Sequence, residues 1–423
     1  MNFLPHLPPR GRCRVRCIDA QDAQIAGTCD ARFAGVREAL CENMASRGEL
    51  GAAVTVIAEG RPVVDLWCGW ADEARSRAWQ EDTLVNAFSV GKAFAGLCVL
   101  MLVARGTLNL DDPVSRYWPQ FAAAGKEQIT VRQLLSHQAG LAAIARQLPQ
   151  NALYDWGQMT AALAAQAPWW PPGSGHGYHV HTFGFLVGEL VRRLTGESIG
   201  SFLRGHIAEP LQAQVSFGLE PARRTRRADY VLDAKLVARF QSAMRKAPST
   251  QTAEGEPAGA YPVDAPPTHL YERAYMNPPG ATGIGTVNTV AWQDAEIPSA
   301  NLHADARSVA RVYAALLDDA HPLLDREVLE LARTEHASGH DLVLGRPSRF
   351  GLGFQLTQPE RPLGTNEGSF GHFGAGGSVG FADPQARVAF AYLMNRGGPQ
   401  WQDPRNRALI DAVYDALDTT TSS

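Results

Sequence analysis

The sequence predicts an α+β fold in which one antiparallel sheet is assembled from both ends of the chain, flanked by helices. Two observations predict it: a helix and two strand-like runs near the front, and strand-like runs followed by a helix at the end. The 423 residues leave room for a large core and two subdomains. No repeat of fixed period is visible, which argues against a solenoid or a propeller.

The front of the chain predicts an arm, a helix and a β-hairpin. Residues 1–26 are expected to form a loosely ordered arm. Apolar spacing then predicts a helix over 31–47. Two strand-like runs, 52–58 and 62–69, are separated by a short turn segment and predict a hairpin.

The middle of the chain predicts helices. Residues 107–289 are assigned to a mostly helical inserted subdomain because they are rich in alanine and leucine at helical spacing. Within them, residues 246–266 are dense in proline, glycine, alanine and threonine, which predicts a long surface excursion. The sheet subdomain then consists of 27–106 plus 290–423, and we expect an active site in the cleft between the two subdomains.

The end of the chain returns to strand patterns. Apolar runs predict strands over 350–356 and 387–394, on either side of a glycine-rich segment over 370–381. An amphipathic helix is predicted over 406–417. These elements supply the second half of the sheet.

Composition limits the classes of partner. The formal net charge of −4 argues against nucleic acid, and the basic cluster Arg223–Arg227 is more simply a solvated surface. All six cysteines lie between Cys13 and Cys98, whereas a secreted disulfide framework would also staple the remainder, so we expect reduced thiols. The N-terminus lacks the apolar run of a secretory signal. The sequence therefore predicts a cytoplasmic protein without a membrane partner.

The tetrapeptide Ser89-Val90-Gly91-Lys92 places a hydroxyl and a primary amine one helical turn apart. The following residues, 93–104, are apolar on every side, which predicts a buried helix ending near Gly106, with Ser89 at or near its N-terminus. The helix dipole and apolar neighbours disfavour an ammonium, so we expect a lowered Lys92 pKa. A neutral lysine can accept a proton from serine, although a serine N-cap followed by a surface lysine has the same spacing.

Two later segments could complete such a site. Tyr178 precedes a helix predicted over 183–194 and, if held near Lys92, could move a proton, with its pKa lowered by adjacent positive charge. Trp169 and Trp170 lie just before it and could wall an acyl or alcohol pocket, or equally pack in the core.

The second segment is Gly371-His372-Phe373-Gly374-Ala375-Gly376-Gly377. Glycines let a substrate approach the backbone closely, so the amide of Ala375 could point at a developing oxyanion together with that of Ser89. A glycine-rich bend between two strands would have the same composition.

The order Ser-x-x-Lys, tyrosine and His-x-Gly strand resembles the serine β-lactamase and penicillin-binding-protein superfamily. Within it, the chain is most similar to the class C β-lactamase-like carboxylesterases, the family VIII esterases, over about residues 31–417. The resemblance implies a β-lactamase/transpeptidase-like fold and a carboxylesterase. The stretches that carry the likeness are Tyr178-His179, Gly184 through Gly196, Asn277-Pro278-Pro279, Ala295 through Asn301, and Phe370 through Asn395.

The resemblance also implies roles for individual residues. Ser89 would be the acylated nucleophile, Lys92 its general base, and Tyr178 the group that passes the proton to the leaving alcohol. The amides of Ser89 and Ala375 would form the oxyanion hole. The expected substrate-binding residues are His372, Gly374, Trp169, Trp170, His179 and Val180.

Two departures from the class C β-lactamase pattern favour esters over β-lactams. By resemblance, class C β-lactamases carry a Tyr-x-Asn motif in which the asparagine holds an acylamino group of the substrate. In this sequence the motif reads Tyr178-His179-Val180, so valine replaces that asparagine. The usual Lys-Thr-Gly is replaced by His372-Phe373-Gly374, which lacks a permanent cation. We therefore expect small, uncharged ester substrates and no cofactor. A β-lactamase, an amidase or D-aminopeptidase, an acyltransferase and an inactive penicillin-binding-like scaffold remain open, as does the oligomeric state.

Two other motifs are competing interpretations. Gly376-Gly377-Ser378-Val379-Gly380 has the Gly-x-Ser-x-Gly pattern of a nucleophile elbow, but no histidine follows Ser378, as that catalytic triad would require. The cluster His176-x-x-His179-x-His181 has spacing that could hold zinc, but no cysteine or acidic ligand stands near it in sequence. We therefore assign no metal.

Overall fold

The largest layer is an antiparallel sheet that joins the two ends of the chain. The computed structural model describes residues 25–234, 237–238, 270–398 and 402–418. The strands of these residues are β1 Ala26–Cys29, β2 Gly51–Ala58, β3 Arg61–Gly69, β4 Val85–Asn86, β5 Val215–Phe217, β6 Leu302–Ala304, β7 Ala337–His340, β8 Pro347–Phe350, β9 Gln355–Leu356, β10 Phe370–Phe373, β11 Val379–Asp383 and β12 Val388–Met394. Nine of the strands described here form the order β1-β3-β2-β12-β11-β10-β9-β8-β7.

The junction between the two chain ends lies at the centre of this sheet. β2 pairs with β12 from Ala52↔Met394 to Ala58↔Val388. Every residue of β12 is buried, which explains its continuous apolar run. The predicted sheet built from both chain ends is therefore confirmed.

Helices cover the sheet and fill the middle of the chain. Those of the described residues are α1 Ala34–Ser46, α2 Gly91–Ala104, α3 Val131–Leu135, α4 Trp156–Ala165, α5 Thr182–Thr195, α6 Ile199–Leu203, α7 Leu270–Met276, α8 Val290–Asp294, α9 Ala306–Leu316, α10 Arg326–Arg333 and α11 Pro404–Asp418. α9 packs on the central strands, and α1 packs against α11. α2 contacts α5 and α6 as well as β10, so it connects the helices with the sheet.

A small second sheet holds the chain just before α2. Its strands follow the order β4-β6-β5. Beyond β4, the amide of Ala87 still donates to the carbonyl of Leu302 at 2.7 Å. The residues that enter α2 are therefore fixed by backbone pairing on one side and by the helix on the other.

Three expectations about the fold need correction or stay outside the structure. The strand expected over 350–356 is interrupted, because β8 ends at Phe350 and β9 begins at Gln355. Ala26, assigned to the arm, belongs to β1 and pairs with Trp67. Residues 1–24 and the excursion at 246–266 lie outside the described residues. The exact subdomain boundaries stay a prediction.

Two observations bear on the predicted compartment. Cys41 is disulfide-bonded, so the expectation that every cysteine is reduced is wrong for this residue. Cys29, Cys68 and Cys98 are free thiols. Among the helices that the structure describes, none combines the length and the apolar character that crossing a bilayer requires.

The interruption between β8 and β9 brings that turn against α2. A Cβ at Gly96 would lie 2.7 Å from the Cα of Gly353, and Gly353 itself has a φ of 79°. The two backbones therefore touch where neither residue has a side chain.

We expect Gly96→Ala to lower the free energy of unfolding by about 1–3 kcal/mol, because overpacking outweighs the gain in helix propensity. Chemical denaturation measures this change. The matched control is Gly35→Ala in α1, where the new Cβ meets only the Cβ of Ala412 at 3.8 Å. That variant should be neutral or slightly stabilising, and equal effects of the two substitutions would contradict the close-contact account.

Candidate active site

Ser89 lies in a short 3₁₀ turn, Phe88–Val90, between β4 and α2. Phe88 has a φ of 49°, which is unfavourable for a residue with a side chain. Its ring is held by Tyr230 and Trp292, with ring centroids 4.8 and 6.4 Å away. Surrounding packing thus fixes a strained turn, and it leaves Ser89 half-buried and within reach of solvent.

Lys92 is fully buried beside Ser89. Its Nζ lies 3.2 Å from Ser89 Oγ and 3.0 Å from the carbonyl oxygen of Ser299. Burial holds the pKa of Lys92 well below its usual value. A neutral amine can donate one hydrogen to the Ser299 carbonyl and offer its lone pair to the serine hydroxyl.

Tyr178 lies beside both Ser89 and Lys92. Its hydroxyl is hydrogen-bonded to the Ser89 side chain, and Lys92 Nζ lies 4.6 Å from its ring centroid. Phe350 stacks on the ring, and His137 and His372 contact it. Burial raises the pKa of Tyr178, opposite to the expected direction, because desolvation disfavours the charged phenolate. Both partners of Ser89 are therefore uncharged at neutral pH.

A buried carboxylate, which no sequence pattern indicated, positions Tyr178. Both oxygens of Asp341 accept the backbone N–H of Tyr178 at 3.1 Å. Asp341 also accepts from the amide of Val343 at 2.9 Å and from the hydroxyl of Ser348 at 2.8 Å. The segment after β7 thus fixes the backbone of the tyrosine. Asp341 follows Tyr178 by 163 residues, so no local spacing could reveal the contact.

Three predicted pocket residues belong to the packing around the site. His179 is bonded through Nδ1 to the carbonyl of Gly177 at 2.7 Å, and its Nε2 accepts from the amide of Leu141 at 3.1 Å. Burial lowers its pKa to about 4, so the ring is neutral. Trp169 and Trp170 are buried, and their indole N–H groups donate to backbone carbonyls. These bonds hold the three rings in the packing around the site, and a role for them in lining a pocket stays a prediction.

Val180 is buried in a satellite apolar cluster that also contains Tyr178 and Trp169. The surroundings of the tyrosine on this side are therefore apolar.

The three histidines of the zinc hypothesis do not converge. His176 Nε2 lies 2.8 Å from the hydroxyl of Ser348, whereas both ring nitrogens of His179 are bonded as described above. The ring of His181 lies edge-on to Tyr275 instead. Within the described ranges, no group of three or more histidine, cysteine, aspartate or glutamate residues could hold a metal ion.

A second 3₁₀ turn, Ala375–Gly377, follows β10 and lies against the nucleophile turn. A Cβ at Gly374 would lie 2.3 Å from the carbonyl oxygen of Ala87, so the two backbones are in contact just before each turn. Ala375 is the first residue of its turn, and such an N–H has no acceptor within the turn. The structure thus brings the segments of Ser89 and Ala375 together, with Gly374 as the necessary small residue.

His372 and Arg361 complete the surroundings on the sheet side. Burial and the neighbouring Lys92 hold the pKa of His372 well below its usual value, so the ring is neutral. Arg361 lies over the ring of Phe373, 3.7 Å from its centroid. Burial and repulsion by Arg346 lower the pKa of Arg361 to about 9, which still leaves it charged at neutral pH. A permanent cation therefore lies beside this strand after all, supplied by a preceding loop.

Ser378, the competing nucleophile, lies between the 3₁₀ turn and β11. A nucleophile elbow requires a helix after the serine, whereas a strand follows Ser378. Its hydroxyl is buried and has no hydrogen-bond partner in the part of the chain that the structure describes. No base is positioned to activate it there.

Comparisons with known proteins agree with this architecture. The family model described as Beta-lactamase matches residues 36–415. A protein named Esterase/beta-lactamase LipL, from Mycobacterium tuberculosis, is 35% identical over 396 residues, covering 90% of this chain and 86% of LipL.

Solved structures give the same result. A family VIII carboxylesterase superposes with a TM-score of 0.81 at 35% identity, covering 93% of this chain and 100% of that chain. A penicillin-binding protein homologue from Caulobacter crescentus has a TM-score of 0.79 at 38% identity, with the same coverage. The chain therefore belongs to the β-lactamase family and is a serine hydrolase of that fold, with esterases among its relatives.

Proposed function

We propose that the protein hydrolyses small, uncharged carboxylic esters through an acyl-enzyme on Ser89. The observation that carries this proposal is the buried amine of Lys92, 3.2 Å from the Ser89 hydroxyl. A lysine that stays neutral beside a serine is a general base for that serine. The hydrogen bond from Ser89 to Tyr178 supports a second proton carrier at the same oxygen.

Acylation begins when Ser89 Oγ attacks the ester carbonyl carbon and its proton passes to Lys92 Nζ. The negative charge that develops on the carbonyl oxygen is stabilised by the N–H groups of Ser89 and Ala375. When the tetrahedral intermediate collapses, the ester C–O bond breaks. Tyr178 gives its phenolic proton to the leaving alkoxide and recovers one from Lys92. An alcohol leaves, and both side chains are neutral again.

Deacylation repeats the same steps with water. A water molecule attacks the acyl carbon, and its proton passes to the Lys92/Tyr178 pair. The bond between the acyl carbon and Ser89 Oγ then breaks, and the serine oxygen takes that proton back. A carboxylic acid leaves, and these steps require no cofactor.

The apolar surroundings of Tyr178 favour esters as substrates. Val180 provides no amide for an acylamino side chain, and relatives named as esterases support the same class. A second candidate is slow β-lactam hydrolysis. The observation that favours it is the charged Arg361 over Phe373, because a cation near this strand could meet a substrate carboxylate. An amidase or an acyltransferase would use the same acyl-enzyme with a different leaving group or acceptor.

Ser89→Ala should abolish the burst of p-nitrophenol from p-nitrophenyl acetate and reduce its turnover by about 10³-fold or more, because the acyl-enzyme cannot form. Stopped-flow absorbance and the mass of the peptide that contains Ser89 measure the two effects. Ser378→Ala is the matched control and should keep full activity. Acylation that persists in Ser89→Ala and disappears in Ser378→Ala would refute the assignment, and no burst in the parent protein would favour the inactive scaffold.

Lys92→Met should stabilise the fold increasingly as the pH falls. The unfolded chain protonates Lys92 below about pH 10.4, whereas burial keeps the folded pKa low, so folding loses stability as pH decreases between those two values. The expected slope is about 1.4 kcal/mol per pH unit across that window. Thermal melting of the parent and the variant from pH 10 to pH 7 measures it.

Lys126→Met is the matched control for this experiment. The ammonium of Lys126 donates to the carbonyls of Ala123, Ala164 and Gln166, and burial lowers its pKa only to about 8. The loss of folding stability that Lys126 causes as the pH falls should therefore end near pH 8. Replacing Lys126 by methionine should destabilise the fold, because the three hydrogen bonds are lost. If the difference in melting temperature between Lys92→Met and the parent does not change with pH, Lys92 is not neutral in the folded protein.

A substrate panel distinguishes the candidate reactions. We expect kcat/KM for p-nitrophenyl acetate to exceed that for a chromogenic cephalosporin by at least about a hundredfold, since the site lacks the amide that would hold an acylamino group. Val180→Asn should lower the ratio of kcat/KM for the ester to kcat/KM for the cephalosporin. A parent protein that hydrolyses the cephalosporin or an anilide faster than the ester would overturn the ester assignment.

A further inference from the structure

The 3₁₀ turn that carries the Ala375 amide is built from residues with little intrinsic rigidity. Gly376 and Gly377 have φ values of 82° and 126°, which only glycine adopts readily. Glycine also has the largest range of alternative conformations, so such a turn can flip its peptide planes at low energetic cost. A precise oxyanion site on this turn needs support from outside the turn.

Three side chains from other elements supply that support. The hydroxyl of Tyr230 donates to the carbonyl of Ala375 at 3.0 Å. Arg405 Nη2 donates to the carbonyl of Gly376 at 2.9 Å, and Asn406 Nδ2 donates to the carbonyl of Gly377 at 2.8 Å. The three peptide planes that directly follow the Ala375 N–H are therefore each fixed through their oxygen, which holds Ala375 from its C-terminal side. We call Tyr230, Arg405 and Asn406 the carbonyl clamp.

Arg405 is rigid because its other donors are also bonded. It is 3% exposed and forms salt bridges with Asp403 at 2.7 Å and Glu49 at 3.1 Å. Its Nη1 also donates to the carbonyl of Arg396 at 2.9 Å. The Arg405 guanidinium therefore keeps one position, because moving it would leave a buried ion without its partner.

Tyr230 connects the two turns that form the oxyanion site. Its ring lies edge-on to Phe88, the residue before Ser89, while its hydroxyl reaches Ala375. The side chain of Asn288 bonds both the amide and the carbonyl of Tyr230 at 2.9 Å. A Cβ at Gly376 would lie 2.1 Å from the tyrosine hydroxyl, so the turn and Tyr230 fit together only with glycine there.

We propose that the carbonyl clamp, and Tyr230 above all, positions the oxyanion site by holding the Ala375 N–H in line with that of Ser89. The clamp residues bond the turn through carbonyls and are buried, so they act through the turn and have no contact with substrate. The inference rests on the proposed acyl-enzyme mechanism. Loss of the clamp should weaken stabilisation of the tetrahedral intermediate while ground-state binding of the ester changes little.

Tyr230→Phe tests this role, because it keeps the ring against Phe88 and removes only the donor. We expect the acylation rate constant for p-nitrophenyl acetate to fall about tenfold. This loss is smaller than the 10²–10³-fold loss that follows deletion of an oxyanion donor. The dissociation constant for the ester should change by less than about twofold. The affinity for a small alkylboronic acid, which forms a tetrahedral adduct with a serine, should fall by the same factor as the rate. Rates are normalised to active sites by the burst amplitude.

Tyr414→Phe is the matched control. Tyr414 is buried to a similar degree, and its hydroxyl donates to Asp383 at 2.5 Å, at the other end of β11 from the turn. That variant should lose a similar amount of thermal stability and keep the parent's acylation rate and boronate affinity. An equal kinetic loss in both variants would assign the effect of Tyr230 to general destabilisation.

Asn406→Ala tests the clamp independently, from the other end of the turn, and decides the matter if Tyr230→Phe does not fold. It should show the same parallel fall in acylation rate and boronate affinity. Suppose that the folded clamp variants keep the acylation rate and the boronate affinity within twofold of the parent while Ser89→Ala is inactive. The carbonyl clamp then does not position the oxyanion site, and the proposed function stands. If Ser89→Ala still forms an acyl-enzyme, the proposed function itself fails.

Discussion

Among the residues that the structure describes, Lys92 is buried without a carboxylate partner, and the site depends on this constraint. Desolvation lowers its pKa, and its neighbours are a serine hydroxyl, a carbonyl and an aromatic ring. An uncompensated buried ammonium costs several kcal/mol, so the amine stays neutral and basic. The same burial keeps Tyr178 protonated and the nearby His372 and His179 uncharged. The side chains of Lys92 and Tyr178, the two hydrogen-bonding partners of Ser89, are therefore neutral at rest.

Neutral catalytic side chains can react only if the fold fixes their geometry, since no ion pair among the described residues joins Ser89, Lys92 and Tyr178 directly. Pairing of β4 with β6 holds the chain before Ser89, and contact of Gly374 with Ala87 brings the second turn against it. Asp341 fixes the backbone of Tyr178 from a third direction. The Ser89–Lys92 segment, the Ala375 turn and Tyr178 are thus attached to different rigid elements, and the site forms where those elements meet.

The sequence predicted what depends on local periodicity and missed what depends on contacts between distant segments. The sheet from both chain ends and the Ser-x-x-Lys helix follow from strand and helix periods. The single strand expected over 350–356 was wrong because the turn at Gly353 is shaped by contact with Gly96, which no local pattern encodes. Asp341 and Arg361 were missed for the same reason. For Trp169 the sequence left a pocket wall and core packing equally open, because proximity in sequence to Tyr178 does not determine where a side chain points.

The low-dielectric surroundings that keep Lys92 neutral also amplify every interaction that forms in the transition state. In the proposed mechanism the proton of Ser89 passes to Lys92, and an ammonium and an oxyanion then arise a few ångströms apart in a medium where their attraction is much stronger than in water. The backbone dipoles of Ser89 and Ala375 act in that same medium, so a small misalignment loses more stabilisation than it would at an exposed site. Burial of the base thus makes alignment of the amides matter, which is the physical reason for a buried arginine, an asparagine and a tyrosine on one turn of three residues.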